Sequence, residues 1–238
     1  MSEYKNAQVK SRKRVADHGE VFTAEREVQA MLDLVKPETE RVDSTFLEPA
    51  CGNGNFLAAI LERKLTAITN KYKKYPGDWE KNSVLAVMSI YGVDILLDNV
   101  EECRARLFNL WENEYTKYCK GECNENCRKS IQYILTRNIL CGDALSLLQN
   151  NGEPIIFSEW AMMGKGLVKR RDFRMDVLMK ENADPNSYEN NNMQFTMFED
   201  EPTAAVHWMS DPLTGQPTPA PVAEYEPIHY LEVYKHGS

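Results

Sequence analysis

The stretch FLEPACGNGNFL, Phe46–Leu57, decides the fold. With the two residues before it, the stretch begins STFLEP, Ser44 to Pro49, which reads as a short buried strand ending at Pro49. A turn carrying Gly52 and Gly54 follows, and then an apolar-periodic helix. The two glycines let the backbone turn tightly and leave room for a ligand pressed against it. The first amide N–H groups of the helix have no partner within it. In an open α/β sheet such a turn sits beyond the carboxyl end of a strand, where ligands bind.

The flanking sequence repeats the pattern. Upstream, EREVQAMLDLV from Glu25 spaces Val28, Met31, Leu32 and Val35 as on a helix, which Pro37 is expected to end. Downstream, Asn55 to Ala67 predicts a helix with Phe56, Leu57, Ile60, Leu61 and Leu65 on one face. KYKKYPGDWEKN reads as a polar loop. SVLAVMSIYGVDI is a helical or extended apolar run that finishes as a strand at Asp94. Asn99 to Tyr115 is a strong helix with Val100, Cys103, Leu107, Leu110 and Trp111 inward. NILCGD gives a short strand before Asp143, and EPIIFSEW an apolar strand after Pro154. This rhythm predicts an α/β layered domain with a mainly parallel sheet flanked by helices.

Three regions are expected: a flexible basic N-terminus over residues 1–17, a domain over 18–174, and an irregular extension over 175–238. Asn, Asp, Pro and Met dominate most of that extension, and EYEPIHYLEVYK predicts a closing strand. The 238 residues suffice for one sizeable core, and 42% hydrophobic with 27% charged residues is ordinary for a globular chain. No apolar run approaches ~18 residues, so no membrane span is expected. The N-terminus has no apolar signal segment. Six cysteines without a dense framework point to a reducing cytoplasm. A net charge of −8 argues against a surface that binds nucleic acid everywhere. KSRKR (Lys10–Arg14) and KRR (Lys169, Arg170, Arg171) are local basic candidates, or simply solvated charge.

The turn's chemistry is narrower than "nucleotide". Its spacing is not GxGxxG and no Lys-Ser/Thr follows, which weighs against a dinucleotide pyrophosphate or a P-loop. Glu48, just before the turn, suits a cationic amino group better than a phosphate. Asp94 ends the next strand, a position where a carboxylate accepts ribose hydroxyls. Asp143 ends the third. Three strand-end acids around one glycine turn describe an adenosine-type ligand bearing an amino acid, S-adenosylmethionine. Any one of these acids is a weak signal by itself, because a strand-end Asp is also a common helix cap.

FLEPACGNGNFL resembles the S-adenosylmethionine-binding motif of adenine-N6 DNA methyltransferases, the M subunits of restriction–modification systems. HGEVFTAEREVQAML, His18–Leu32, resembles their upstream Gly-x-x-Phe-Thr-Pro block, with Ala24 where Pro is common. YGVDILLDNVEECRARL is similar to their second acidic motif and NILCGDAL to the third, so the resemblance runs from His18 to Trp160. It implies a Rossmann-like, S-adenosylmethionine-dependent methyltransferase fold. The cofactor set it implies is Phe22, Thr23, Glu48, Pro49, Ala50, Gly52, Gly54, Asn55, Phe56, Asp94, Ile95, Asp143 and Ala144. Phe22 and Thr23 would line the methionine end and Glu48 and Gly52 the amino-acid end. Asp94 and Ile95 would hold ribose and adenine, and Asp143 the adenine amino group. DNA is the implied substrate, with a specificity or restriction subunit as a possible partner.

The resemblance breaks at the next strand. These enzymes end it in Asn-Pro-Pro-Tyr, whose polar acceptors and aromatic ring hold a flipped adenine. Here it reads IIFSEWAMM. Ser158 stands for the Asn, Trp160 for the aromatic and Glu159 for a proton acceptor, while both prolines are missing. Three readings therefore stand: an adenine-N6 DNA methyltransferase, an inactive methyltransferase-like accessory protein that keeps the cofactor pocket, or a methyltransferase acting on another substrate such as protein or RNA. GLVKRRDFRMDVLM is a candidate hairpin partner that would bring Lys169, Arg170 and Arg171 to DNA phosphates. Cys119, Cys123 and Cys127 have a spacing permissible for zinc, with no obvious fourth ligand; a loop of free thiols is the alternative.

Overall fold

A computed structural model describes residues 10–18, 20–180, 208–210 and 217–237. Helices α1 (Arg12–His18), α2 (Glu25–Asp33) and α3 (Lys36–Glu40) precede strand β1 (Phe46–Glu48). Then come α4 (Asn55–Tyr72), α5 (Pro76–Met88), β2 (Ile90–Asp94), α6 (Leu97–Cys119), α7 (Glu125–Asn138) and β3 (Ile139–Cys141). Strands β4 (Ile156–Met162) and β5 (Leu167–Arg174), helix α8 (Met175–Lys180), and strands β6 (Trp208–Ser210), β7 (Pro217–Pro219) and β8 (Ala223–His229) follow. A 3-10 helix, Tyr230–Gly237, closes the chain's described part.

Strands β1, β2 and β3 form a parallel sheet in that order. Glu48 lies opposite Gly92, and Asp94 opposite Cys141, so the turns after all three strands leave by the same edge. The α/β class with a parallel sheet is as expected. On one face Ile90 and Ile139 join Leu57, Leu61 and Leu107 of the helices in the main core. On the other, Val93 packs with Ile155, Phe157 and Met175, and Tyr91 meets Phe157 edge-on at 5.4 Å.

That second face carries a correction. The strand expected to extend the parallel sheet, β4, lies outside it and forms an antiparallel sheet in the order β4-β5-β8. The cause is local. The connection from Met162 to Leu167 is one short turn through Gly164–Gly166, with Lys165 at φ 60°. A turn this short joins only antiparallel neighbours. The hairpin pairs Ser158 with Asp172 and Trp160 with Arg170. Segment β8, from the stretch expected to be an extension, pairs with β5 and completes the sheet. Residues 181–207 and 211–216, most of the expected irregular region, lie outside the described residues. The closing strand forms over Ala223–His229 only; from Tyr230 the chain turns into the 3-10 helix packed on α7.

Other boundaries differ for identifiable reasons. Pro37 does not merely end α2; it sits in the first turn of α3, where its missing N–H costs nothing. The polar KYKKYPGDWEKN stretch is mostly helical: α4 runs to Tyr72 and Pro76 opens α5. Of the residues expected inward on α2, Val28 and Leu32 are buried while Met31 and Val35 are exposed. In the basic N-terminus, expected to be flexible, Arg12–His18 form α1. Among the described residues no helix is long and apolar enough to cross a membrane.

Two buried polar side chains fix the layers. Asn138 Nδ2 donates to the carbonyls of Val87, Met88 and Ile90, at 3.3, 3.3 and 3.1 Å. Its Oδ1 accepts from Trp160 Nε1 at 2.8 Å, so one amide joins α5, the parallel sheet and the antiparallel sheet. Lys64 of α4 is fully buried, and its Nζ donates to Val42 O (2.9 Å), Ser44 O (2.5 Å) and Ser89 Oγ (2.7 Å). It pins the loop before β1 to the end of α5. Burial pushes the Lys64 ammonium down to about 7, against the opposing pull of Asp43. The unfolded chain keeps that proton to the ordinary lysine range, so between about 7 and 10 the unfolded state binds more protons and stability rises with pH. Urea unfolding of wild type and Lys64→Met at several pH values should show the wild type gaining on the variant, by up to about 1.4 kcal/mol per pH unit. A difference constant with pH would refute the assignment.

Candidate functional site

Hydrogen bonding builds the turn after β1. Cys51 N donates to Val93 O at 2.9 Å, and Gly54 N to Cys51 O at 2.8 Å. Gly52 and Gly54 hold φ of 52° and 85°, the left-handed region that favours glycine. Space also selects them. A Cβ on Gly54 would stand 2.6 Å from Cys103 Sγ of α6, and one on Gly52 would stand 3.0 Å from the Phe22 ring. The turn is thus clamped between a helix behind it and an aromatic ring in front.

Asp94 closes the arrangement. Its Oδ2 accepts from Gly52 N at 2.9 Å; its Oδ1 accepts from Leu96 N at 2.9 Å and Asn99 Nδ2 at 3.2 Å. Asn99 Nδ2 also donates to Glu20 Oε1 at 2.7 Å. Glu20 pairs with Arg14 at 2.7 Å, and Arg14 pairs with Asp98. The arginine holds the Asp98 carboxyl down to about 2. Lys10 bonds Asn99 Oδ1 at 2.8 Å and pairs with Glu102. The basic run Lys10–Arg14 therefore spends two of its charges fastening the N-terminal segment over the start of α6.

The two stretches that carry the resemblance meet here. Phe22 lies against Gly52, and Asn55 Nδ2 donates to Thr23 O at 3.1 Å. Arg106 donates to Asn55 Oδ1 and to Asn53 O. Phe56 packs against the main core, while Pro49 and Ala50 are exposed at the rim. Glu48 is half-buried, and burial raises its carboxyl above the usual range against a backbone hydrogen bond at Ala50. Ile95, next to Asp94, is 49% exposed. Asp143 Oδ1 accepts from Leu145 N at 2.8 Å, which lowers its carboxyl, and Ala144 is half-buried against the second core.

The remaining sequence candidates sit elsewhere. Ser158 is fully buried; its Oγ donates to Asp172 Oδ1 at 2.7 Å and accepts from Arg170 Nε at 3.0 Å. Trp160 is buried and bonded to Asn138. Glu159 points out and pairs with Arg171 at 2.6 Å. Lys169 pairs with Glu224 at 3.2 Å. Arg170 is 2% exposed, pairs with Asp172 at 2.6 Å and lies 4.1 Å from the Tyr225 ring centre. As a DNA-contacting residue Arg170 is corrected: its guanidinium is a core group, enclosed by Tyr133, Trp160 and Tyr225. Cys119 and Cys127 are buried, and burial pushes the Cys119 thiol up to about 12. Among the described residues no group of His, Cys, Asp or Glu is arranged to hold a metal ion.

Glu20, Asn99, Cys103 and Arg106 belong to the site and escape sequence reasoning. Glu20 lies inside HGEVFT, and Asn99 falls one helical turn past Asp94, the nearest thing to a signal. Comparison with protein-family models, with curated proteins and with solved structures finds no match to this chain.

The clamp on Gly54 is testable by double-mutant cycle. Gly54→Ala should cost about 1–2 kcal/mol of left-handed strain and about 1–3 kcal/mol of overpacking against Cys103. In a Cys103→Ala background the overpacking part should vanish in urea unfolding. Equal penalties in both backgrounds would show that Cys103 is not the obstacle.

Proposed function

We propose that the Glu48–Asn55 turn binds S-adenosylmethionine, and that this protein is a methyltransferase-like cofactor-binding domain. One observation carries the reading: Phe22 and Thr23 converge with Gly52 and Asn55, so two stretches that each resemble the adenine-N6 DNA methyltransferases form one site. The residues present fit the group. Glu48, half-buried and poorly solvated, has reason to seek a cationic amino group. Asp94 is positioned for ribose hydroxyls, with Gly52 N–H as a donor it can release to the ligand. Ile95 offers an exposed apolar platform beside it for adenine, and Asp143 stands at the next strand end. When bound, the cofactor would supply an electrophilic methyl group.

The substrate side favours the accessory form of this reading. An adenine pocket needs free acceptors and a free ring next to the cofactor, whereas Ser158 and Trp160 have their polar atoms engaged inside the fold. A second reading, adenine-N6 methylation of DNA within a restriction–modification or phage-type system, is favoured by one feature. Among the described residues β1 pairs only with β2, leaving an open edge with Leu47 42% exposed. A partner subunit could dock a strand and a base pocket there.

Calorimetry of the full chain should give saturable S-adenosylmethionine binding, weakened at least about tenfold by Ile95→Asp, an exposed position where the change leaves the melting temperature in place. Absence of binding at millimolar cofactor would sink the proposal. Tritiated methyl transfer to adenine-rich DNA separates the two readings. The accessory form expects none from the chain alone, and transfer by the lone chain would return the enzyme reading to first place.

A further inference from the structure

Many cations of the described residues are used internally. Lys10, Arg14, Arg63, Arg128, Lys169 and Arg171 all sit in ion pairs. One group is not. At the end of α4 and in the turn to α5 the sequence reads Lys71, Tyr72, Lys73, Lys74, Tyr75. Lys73 and Lys74 are exposed and have no carboxylate partner among the described residues. Lys71 lies over the Tyr72 ring at 5.0 Å, and Tyr75 is 61% exposed. The last turn of α6 abuts the same place: Tyr118 stacks on Trp79 at 5.7 Å, and Cys119 Sγ reaches Pro76 O at 3.6 Å. This carries Lys120, also exposed and without a carboxylate partner, alongside. The nearby acids do little to neutralise the patch. Asp78 is held by Lys81 at 3.8 Å, and Glu80 is buried between the Tyr115 and Tyr230 hydroxyls. Glu122 is exposed beyond Lys120.

Helix C-termini attract cations, which accounts for lysines here but not for the exposed tyrosine among them. Lysines that follow a phosphate backbone, interleaved with rings on which bases stack, are what a single-stranded nucleic acid needs. A lipid surface would want aliphatic side chains to insert. Among the described residues between 66 and 94, Tyr75 is the sole exposed large hydrophobic.

We propose that Lys71, Lys73, Lys74, Tyr75 and Lys120 form a docking surface for single-stranded nucleic acid, separate from the cofactor turn. The turn opens α4 at Asn55 and the patch closes it at Tyr72, about 27 Å away along the 18-residue helix. A strand held here is tethered to the protein rather than presented to the turn.

Fluorescence anisotropy with a labelled single-stranded DNA of about 20 nucleotides, titrated between about 50 and 200 mM salt, tests this on the full chain. The wild type should bind, with affinity falling steeply as salt rises. The triple variant Lys71→Ala/Lys73→Ala/Lys74→Ala should lose at least about tenfold, with a salt slope shallower by about 2. Tyr75→Ala should weaken binding with the slope unchanged, and circular dichroism should stay native because all four side chains are at the surface. Failure of the wild type to bind at low salt would overturn the proposal. So would a triple variant that binds like wild type, or lysine-dependent capture by phosphatidylserine vesicles that Tyr75→Ala leaves intact. Retention of DNA binding in Ile95→Asp supports the separation of the two surfaces. Loss of binding there, with the triple variant unaffected, would move the strand to the turn and refute it. None of these outcomes depends on cofactor binding, which calorimetry reads independently.

Discussion

The Asp94 carboxylate is the contact on which the site's geometry depends. Its oxygens accept from the Gly52 amide, the Leu96 amide and the Asn99 side chain. One group at the end of β2 therefore holds the glycine turn after β1 and the first turn of α6. A charged acceptor makes stronger hydrogen bonds than a neutral one, and here the donors come from two segments, the glycine turn and the start of α6. The turn cannot open without losing a bond to Asp94, and the N-terminal segment is tied to the same point through Asn99 and Glu20.

The second constraint is the short turn between β4 and β5. It forces an antiparallel hairpin, and β8 extends that hairpin into a sheet covering Tyr91, Val93 and Leu140. Within it, Ser158, Arg170 and Asp172 form a buried network that also takes the Tyr225 hydroxyl at 3.3 Å. Burying an arginine and an aspartate is tolerable only with near-complete pairing, and truncating either partner leaves an uncompensated charge. Strand β4, which carries the sequence candidates Ser158 and Trp160, is thereby committed to holding the molecule together.

Legibility followed the range of the forces involved. The helical faces of Leu57, Ile60, Leu61 and Leu65 and of Val100, Cys103, Leu107 and Trp111 were readable, because periodicity is local and burial follows it. So was the strand end at Asp94, while β1 stops at Glu48 and β3 at Cys141, short of the expected Pro49 and Asp143. Pro37 and the KYKKYPGDWEKN stretch mislead because an exposed helix face is as polar as a loop and proline is at home in a first helical turn. Arg170 and Ser158 misled more deeply. Nothing in KRR says that its middle residue faces inward, since β-strand alternation assigns opposite faces to Arg170 and its neighbours only once β5 is known to be a strand.

What the sequence determined by itself was the glycine turn: the left-handed backbone at Gly52 and Gly54 and the strand–turn–helix order are properties of a dozen consecutive residues. Tertiary structure alone decided what surrounds them. Phe22 reaches Gly52, Asn99 reaches Asp94, and Cys103 backs Gly54 because separate segments pack there. Strand β4 left the parallel sheet for the same kind of reason: strand pairing is chosen by contacts between segments far apart in the chain, whose energies no single stretch contains.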